Sequence, residues 1–384
     1  MRIGVDATCW QNRRGYGRHA RALLHALATL NGGHRYTLFL DSADGIETLP
    51  PHCESCVAPA DVPASVAASA RGSRSPRDMW RVSRAMSAGN FDVLLFPTIY
   101  TYVPVLSQAK KVVVMHDVIA ETYPGLTVPG LQARLFWTAK TLAGRLQADA
   151  LVTVSAYSRD RIVERFPVAR DRVFVVGEAN DPIFRVLPGV ELTPRLRGLG
   201  IDPERPLVIY IGGFSPHKNL EALIAAFAAV PDPTQLVMVG EYKNEVFHSY
   251  FGAVAAEVKR RRLEKRVIFT GYLPDEDVAV LLNHAAVLAL PSLMEGFGLP
   301  AVEAAACGCP VIATENSPLP ELLGAGGLYI KPTADALERA LVTVLGSAPL
   351  RRRMSSAGVT AARRLTWDTA ARQMMAVFDR VVAA

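Results

Sequence analysis

Short apolar runs alternate with helical patterns along almost the whole chain, and this alternation limits the fold more than any other feature. Six such runs lie in the first half of the chain and six in the second, from RIGVD at residue 2 to GLYI at residue 327. Continuous apolar runs of this length are typical of parallel strands buried on both faces, with helices between them. The pattern predicts an α/β protein with two Rossmann-like domains in tandem.

A stretch rich in proline and glycine, Asp181–Pro206, separates the two sets of runs and is typical of a linker. The 384 residues are also long for a single core. We therefore predict a first domain over residues 1–185 and a second over 186–366. The tail 367–384 has a helical pattern.

Composition excludes several classes of protein. Half of the residues are hydrophobic and a fifth are charged, as in globular proteins. No apolar run approaches the roughly 18 to 20 residues of a membrane span. The chain enters a strand pattern at once and lacks the features of a signal peptide, so we expect a cytoplasmic location. The five cysteines do not suggest a disulfide framework, and the CESC motif of Cys53 and Cys56 lacks the second pair that a structural zinc site needs.

The net charge of +6 is concentrated in arginines of the first hundred residues. These arginines include Arg13, Arg14, Arg18, Arg21, Arg71, Arg74, Arg77, Arg81 and Arg84. Such a bias favours an anionic partner, with peripheral contact on the inner face of a membrane as one interpretation and a merely solvated face as the other. Nucleic acid is disfavoured because no nucleic-acid-binding motif accompanies the charge.

The segment Pro291–Pro310 carries Glu295 and Glu303 on either side of a glycine-rich turn and a helix start. The turn brings backbone N–H groups close to a ligand, and the positive end of the helix favours phosphate oxygens. These groups belong to Gly296, Phe297, Gly298 and Leu299. Glu303 lies one turn into the helix, within reach of ribose hydroxyls. The segment predicts a site for a phosphorylated, hydroxyl-rich ligand.

This segment resembles the signature of the retaining glycosyltransferases of family 4, and further motifs follow in that family's order. The resemblance implies the GT-B architecture, in which two Rossmann-like domains face each other across a cleft and a C-terminal helix crosses back to the first domain. It also implies that Glu295 contacts the transferred sugar and that Glu303 binds the ribose.

A second motif, SPHKN, places Lys218 after the run LVIYIG, at the start of a helical pattern. A lysine there can neutralise a diphosphate and the charge that grows as the nucleotide leaves. The motif resembles the family's SPxKN element, whose lysine binds the donor diphosphate. Many members carry an arginine five residues earlier, where this chain has Gly213, so Lys218 is left as the main cation with His217 as a helper. The alternative is a solvated lysine.

His116 and Asp117 follow the run KVVVM. A neutral histidine at a strand end can bond a sugar hydroxyl or a phosphate, although a single histidine is more often structural. The resemblance to the family's HD position implies that His116 lies under the donor sugar and contributes to catalysis. Asp117 is expected to orient the loop.

Gly15 and Gly17 precede a helical pattern in GYGRHA. The third glycine and the acidic residue of a dinucleotide fingerprint are missing, which disfavours an NAD-dependent dehydrogenase. The run resembles instead the GxGR loop of family 4, which lies near the donor diphosphate and the acceptor. Arg14 or Arg18 would then meet an anionic acceptor.

Other segments allow a functional and a structural interpretation. One segment is either a VSxxSR-like element or an ordinary helix cap and contains Ser155, Ser158 and Arg159. Two loops that border the base in the family carry Glu241 and Tyr272. The other two segments are Asn316–Glu321 and the loop after Pro59, which is followed by a helix around Met79 and Trp80.

The resemblance implies a retaining hexosyltransferase that moves a hexose from a nucleoside diphosphate sugar to a glycan or lipid-linked acceptor, such as a mannosyltransferase of polysaccharide synthesis. With Lys218 and backbone amides assisting departure, neither a metal nor a cofactor is needed. Two alternatives remain: a GT-B sugar-nucleotide epimerase, which needs no acceptor, and a non-catalytic nucleotide-sugar-binding protein. GDP and UDP donors are both open.

Overall fold

The protein divides into two compact units. The computed structural model describes residues 1–12, 15–30, 32–64, 75–128, 130–242 and 250–384. The first unit comprises Met1–Glu178 and Thr366–Ala384, and the second comprises Ala179–Leu365. Arg14, with Arg13, Arg71 and Arg74, lies outside the described residues. None of the described helices is both long and apolar enough to cross a bilayer.

The first unit is an α/β layer structure. Its strands are β1 Arg2–Asp6, β2 Arg35–Leu40, β3 Cys53–Val57, β4 Val93–Phe96, β5 Lys110–Val114, β6 Ala150–Thr153 and β7 Val173–Val175. Its helices are α1 Gly15–Thr29, α2 Pro76–Ala88, α3 Ile119–Thr122, α4 Pro124–Thr127, α5 Leu131–Gln147 and α6 Ala156–Arg165, with single 3-10 turns at Ile46–Thr48 and Arg170–Arg172. The described strands form one parallel sheet in the order β3-β2-β1-β4-β5-β6-β7.

The second unit repeats this plan. Its helices are α7 Pro194–Gly198, α8 Leu220–Phe227, α9 Phe251–Arg260, α10 Asp275–His284, α11 Leu299–Ala306, α12 Leu319–Leu323, α13 Ala334–Gly346 and α14 Ala348–Ala362, with 3-10 turns at Pro216–Lys218 and Gly324–Gly326. Its strands are β8 Leu207–Ile211, β9 Gln235–Val239, β10 Val267–Gly271, β11 Val287–Leu290, β12 Val311–Thr314 and β13 Gly327–Ile330. They form a parallel sheet in the order β10-β9-β8-β11-β12-β13.

The prediction of six strands in the first domain was wrong by one strand. The CESC motif lies in β3, which pairs in parallel with β2 at the edge of the sheet. Glu54 and Ser55 are exposed there, and Cys53 and Cys56 are only partly buried. An edge strand next to solvent does not need an apolar run, so the hydrophobic pattern that marks the other strands is missing.

The last helix, α15 (Trp367–Ala383), belongs to the first unit, which confirms the predicted return of the chain. Met374 and Phe378 of α15 share one buried cluster with Ile3 of β1 and with Leu23 and Leu27 of α1. Burying a side chain of this size contributes about 2 kcal/mol, so the helix is held by its apolar face.

Candidate active site

Five residues from the candidate segments follow the carboxyl ends of adjacent strands in the second unit. Tyr272, Glu241, Lys218, Glu295 and Asn316 follow β10, β9, β8, β11 and β12, which is the order of these strands in the sheet. The strand order reverses between β8 and β11. Ligands of open α/β sheets bind at such a reversal, outside the carboxyl ends of the strands.

Lys218 and Glu295 form an ion pair at this reversal. The Nζ atom of Lys218 lies 2.7 Å from Oε1 of Glu295. The hydroxyl of Ser292 donates to the same oxygen at 2.6 Å. Both side chains of the ion pair are largely buried. The sequence analysis named Lys218 and Glu295 separately, and the structure brings them into direct contact.

Burial by itself would raise the pKa of Glu295. The Lys218 ammonium and the hydrogen bonds from Lys218 and Ser292 more than offset this effect, so the pKa of Glu295 lies below its usual value. Glu295 is therefore an acceptor at neutral pH. A carboxylate held in this state can accept hydrogen bonds from hydroxyl groups.

Two asparagines, Asn219 and Asn316, hold the loops that carry Lys218 and Glu295. Asn219 was not identified from the sequence. Asn219 adopts a left-handed backbone conformation with φ of 57°, and its side-chain amide donates to the carbonyls of Pro291 and Pro332. The carbonyl of Asn316 accepts from the backbone N–H of Glu295 at 3.1 Å. Asn316 thus braces the loop that carries Glu295.

His217 is not placed to act as a second cation. Burial, and then the adjacent Lys218 charge, lowers the pKa of His217 to about 4. The imidazole is neutral at pH 7, so Lys218 carries the positive charge of this segment alone.

Gly213 leaves open space where many family members carry an arginine. A Cβ atom at Gly213 would meet nothing within 4 Å. Its carbonyl accepts a hydrogen bond of 2.6 Å from the hydroxyl of Tyr210, which fixes the peptide. A β-carbon therefore fits at this position.

The glycine-rich turn of the second unit is built around Gly298, which caps α11 with φ of 86°. A Cβ atom there would also lie 2.9 Å from a methyl carbon of Leu319. Gly296, Phe297 and Glu303 are buried. The first N–H groups of a helix such as α11 have no partner within it, and the anion preference of this turn stays a prediction.

In the first unit, His116 lies beside two residues that sequence reasoning did not find. His19 of α1 packs edge-on against His116, with ring centroids 4.8 Å apart. The Nδ1 atom of His19 lies 2.7 Å from Oε1 of Glu178, and both residues are buried. Trp367 packs against His19 from α15. The helix start, the end of β5 and the returning helix therefore meet at one point.

The ring nitrogens of His116 are buried, and the ring is neutral. Neither ring nitrogen has a hydrogen-bond partner among the described residues. Burial, and then His19, holds the pKa of His116 well below its usual value, so the ring is neutral at pH 7. Asp117 accepts from the N–H of Ile119 at 2.9 Å and thus shapes the loop, as expected.

His19, His116 and Glu178 are also the only group of three metal-ligand side chains found among the described residues, with ligand atoms within 4.8 Å of one another. Nitrogen and oxygen atoms that bind one tetrahedral zinc ion at about 2.0–2.2 Å lie roughly 3.3–3.6 Å apart, so the 2.7 Å contact between His19 and Glu178 is too close for two ligands of one ion. This contact is a close polar one between Nδ1 of His19 and Oε1 of Glu178. We interpret the group as a packed polar cluster.

The GYGR segment differs from its prediction in one respect. Gly15 and Gly17 lie in the first turn of α1 and not in a loop before it. A Cβ atom at Gly17 would lie 2.0 Å from the carbonyl oxygen of Asn12, whereas Gly15 has open space. Gly17 is therefore required by the adjacent backbone. Arg18 is partly exposed on the same turn.

Ser155 is the N-cap of α6 and accepts from the N–H of Ser158 at 3.0 Å. This observation supports the structural interpretation of that segment. Cys307 and Cys309 are buried at the end of α11.

Two family models match the chain. The model for "Glycosyl transferases group 1" matches residues 195–360. The model for "Glycosyltransferase Family 4" matches residues 13–181. Each match falls almost entirely within one of the two units.

Curated relatives include two proteins of Escherichia coli. The "O-antigen chain mannosyltransferase B" is 28% identical over 272 residues, which are 69% of this chain and 68% of that protein. The "Serotype-specific mannosyltransferase WbdA" is 26% identical over 288 residues, 71% of this chain. The match spans only 34% of the length of WbdA.

Solved structures share the fold over the full length. Sucrose-phosphate synthase from Thermosynechococcus elongatus gives a TM-score of 0.79 at 21% identity, with 100% of this chain and 99% of that chain covered. Anabaena HepE in complex with UDP-glucose gives 0.75 at 18% identity, with 99% of each chain covered. These likenesses show that the chain has the GT-B fold.

Proposed function

Because the chain belongs to the group 1 glycosyltransferases of family 4, we propose that it is a retaining enzyme that transfers a hexose from a nucleoside diphosphate sugar to an acceptor hydroxyl. The observation that carries this proposal is the buried pair of Lys218 and Glu295 at the strand-order reversal of the second unit. A cation for a diphosphate and a carboxylate for sugar hydroxyls stand side by side there.

The charges of the pair suit such a donor. Lys218 is the cation that meets the diphosphate and stabilises the charge that develops on the leaving nucleotide. Glu295 keeps one oxygen for Lys218 and Ser292 and offers the other to hydroxyls of the sugar. Backbone N–H groups from the turn before α11 add donors for phosphate oxygens. This arrangement supports departure of the nucleotide without a metal ion.

The relatives guide the choice of sugar and pathway. Two of them carry the name mannosyltransferase, and one is named for an O-antigen chain. HepE, which shares the fold, was crystallised with UDP-glucose. We propose a mannosyl donor and a cell-surface glycan or polysaccharide acceptor, with UDP-sugars as the first alternative donors.

A direct assay tests the proposed function. Purified protein is incubated with radiolabelled GDP-mannose or UDP-glucose, with and without a mannose-bearing oligosaccharide, and the products are separated. We expect label to enter the oligosaccharide, and the anomeric configuration, read by NMR, to match that of the donor. Conversion of donor in the absence of acceptor would indicate an epimerase. Binding without turnover on an extended panel of sugars and acceptors would indicate a non-catalytic protein.

Introducing the cation that this chain lacks is expected to strengthen donor binding. Gly213→Arg places a guanidinium in the open space next to Lys218, where it can bond phosphate oxygens. We expect the KM for the donor to fall about five-fold, equivalent to about 1 kcal/mol for one exposed charge-assisted contact. Gly213→Ala is the matched control and should leave KM unchanged. A KM for Gly213→Arg equal to or above that of Gly213→Ala would contradict the placement of the diphosphate.

A further inference from the structure

A groove of about 1060 Å³ in the second unit is lined by α12, by the 3-10 turn that follows it, and by α14. Lys218, Glu295 and the turn before α11 do not line it. Ligand pockets typically measure about 300–1,000 Å³, so the groove has room for a ligand larger than a single phosphate.

One face of α14 supplies most of the polar lining. It consists of Arg352, Arg353, Ser356 and Thr360, and Arg364 continues it just after the helix ends. Successive spacings of one, three, four and four residues place these side chains on one side of a helix. All five residues are exposed. We call Arg352, Arg353 and Arg364 the groove arginines.

The groove arginines are available to a ligand. Their side chains have no hydrogen bond or ion pair among the described residues. The neighbouring Arg351 differs, because its guanidinium bonds the carbonyls of Val344 and Leu345. Glu321 is the single acidic residue among the described residues that line the groove, so positive charge is in excess there. Like charges on one face repel each other, and an anion between them relieves this repulsion.

The two walls of the groove are closely packed against each other. A Cβ atom at Gly326 of the 3-10 turn would lie 2.5 Å from the Cα atom of Gly358 in α14. These two glycines therefore let the turn lie directly against the helix. Leu323 of α12 lines the groove and is buried. The groove is thus already formed in the protein without a ligand.

The lining favours one class of ligand. A guanidinium group matches the oxygen atoms of a phosphate or a carboxylate. The hydroxyls of Ser356 and Thr360 and the carboxylate of Glu321 are suited to hydroxyl groups. No aromatic residue is among the described residues that line the groove, so a nucleotide base has no ring on which to stack.

We propose that this groove binds an acidic saccharide, whose anionic oxygens contact the groove arginines and whose hydroxyl groups contact Glu321, Ser356 and Thr360. The anionic group is a phosphate or a carboxylate, since both match a guanidinium. None of these residues belongs to the donor pair, so binding in the groove is measurable whether or not the chain transfers a sugar.

Ligand-detected NMR with the full chain tests the proposal. The probes are mannose 6-phosphate, glucuronic acid, mannose and inorganic phosphate. We expect both acidic sugars to bind and mannose not to bind. Inorganic phosphate should bind about ten-fold more weakly than mannose 6-phosphate, because it lacks the sugar hydroxyls. Binding of only one acidic sugar supports the proposal and identifies the anionic group.

The variant Arg352→Ala with Arg353→Ala should bind the acidic sugars at least about ten-fold more weakly, because two charge-assisted contacts are lost. The control is Lys259→Ala with Arg339→Ala, which removes two exposed cations of the same unit outside the groove. We expect the control to bind as the unaltered protein does, and both variants to keep their melting temperature.

Three results would overturn the proposal. Equal binding by the arginine variant and its control would place the ligand elsewhere, including the donor site. No binding of either acidic sugar by the unaltered protein would leave the groove without this function. Inorganic phosphate or mannose that bound as tightly as mannose 6-phosphate would show that an acidic saccharide is not what the groove recognises.

Discussion

Replacing either partner of the Lys218 and Glu295 pair is expected to lower turnover by at least about 10²-fold, since each contact stabilises charge or orientation in the transition state. Lys218→Ala removes the only cation of its segment that is charged at pH 7, because His217 is neutral there. Glu295→Ala removes the carboxylate proposed to hold the sugar. The measurement is kcat on the true donor and acceptor. Near-normal turnover in either variant would show that the assignment of that residue is wrong.

Stability must be separated from catalysis in this pair. In Lys218→Ala, the buried Glu295 charge keeps only Ser292 as a partner among the contacts described above. We expect the free energy of unfolding to fall by up to about 3 kcal/mol as a result. The double variant Lys218→Ala with Glu295→Gln removes that unpaired charge, so we expect it to regain stability and to stay inactive. The control variants are Lys259→Ala and Glu338→Ala, which change exposed residues of the same unit. We expect both controls to keep the turnover and the stability of the unaltered protein.

Glu303→Ala should differ from Glu295→Ala in kind. Glu303 is predicted to bind the ribose, so its loss weakens binding of donor and transition state alike and raises the donor KM with a smaller effect on kcat. Glu303 is buried in α11, and the melting temperature of the variant therefore has to be measured alongside.

The fold was predictable from the sequence because parallel strands covered on both faces must be apolar throughout. The runs RIGVD and LVIYIG are of this kind and lie in β1 and β8. Strand β3 escaped notice for the opposite reason. It lies at the edge of its sheet, and its residues Glu54 and Ser55 face solvent. Hydrophobic patterning reports burial, so it cannot mark a strand that is scarcely buried.

The site was predictable only in part. Lys218 and Glu295 each follow a strand and lie in a recognisable motif, and adjacent strand ends bring them together. His19 and Glu178 have no such signal, because they are 159 residues apart and no motif joins them. Their contact arises because α1, which carries His19, packs beside Glu178, the last residue of the segment Met1–Glu178. A buried histidine on an apolar helix face was the one available hint, and it more often indicates packing.

His116→Ala is expected to lower turnover by about 10² to 10⁴-fold, the range of a histidine that bonds a reacting group. Both ring nitrogens of His116 lack a hydrogen-bond partner among the described residues. The side chain therefore contributes no hydrogen bond to the stability of the described fold. The variant should therefore keep its melting temperature while kcat falls. His25→Ala, on the exposed side of α1, is the matched control and should leave both unchanged. Normal turnover of His116→Ala would remove this residue from the site.

His19 should act through His116, and the pH profile can show it. After burial, His19 is the cause that lowers the pKa of His116. His19→Asn removes that influence and keeps a polar side chain beside Glu178. Without His19 this contribution is lost, so we expect the pKa of His116 to rise and the acid limb of kcat/KM to move to higher pH. Packing alone would change kcat/KM at every pH without moving that limb, and an unmoved limb would therefore assign His19 to structure only.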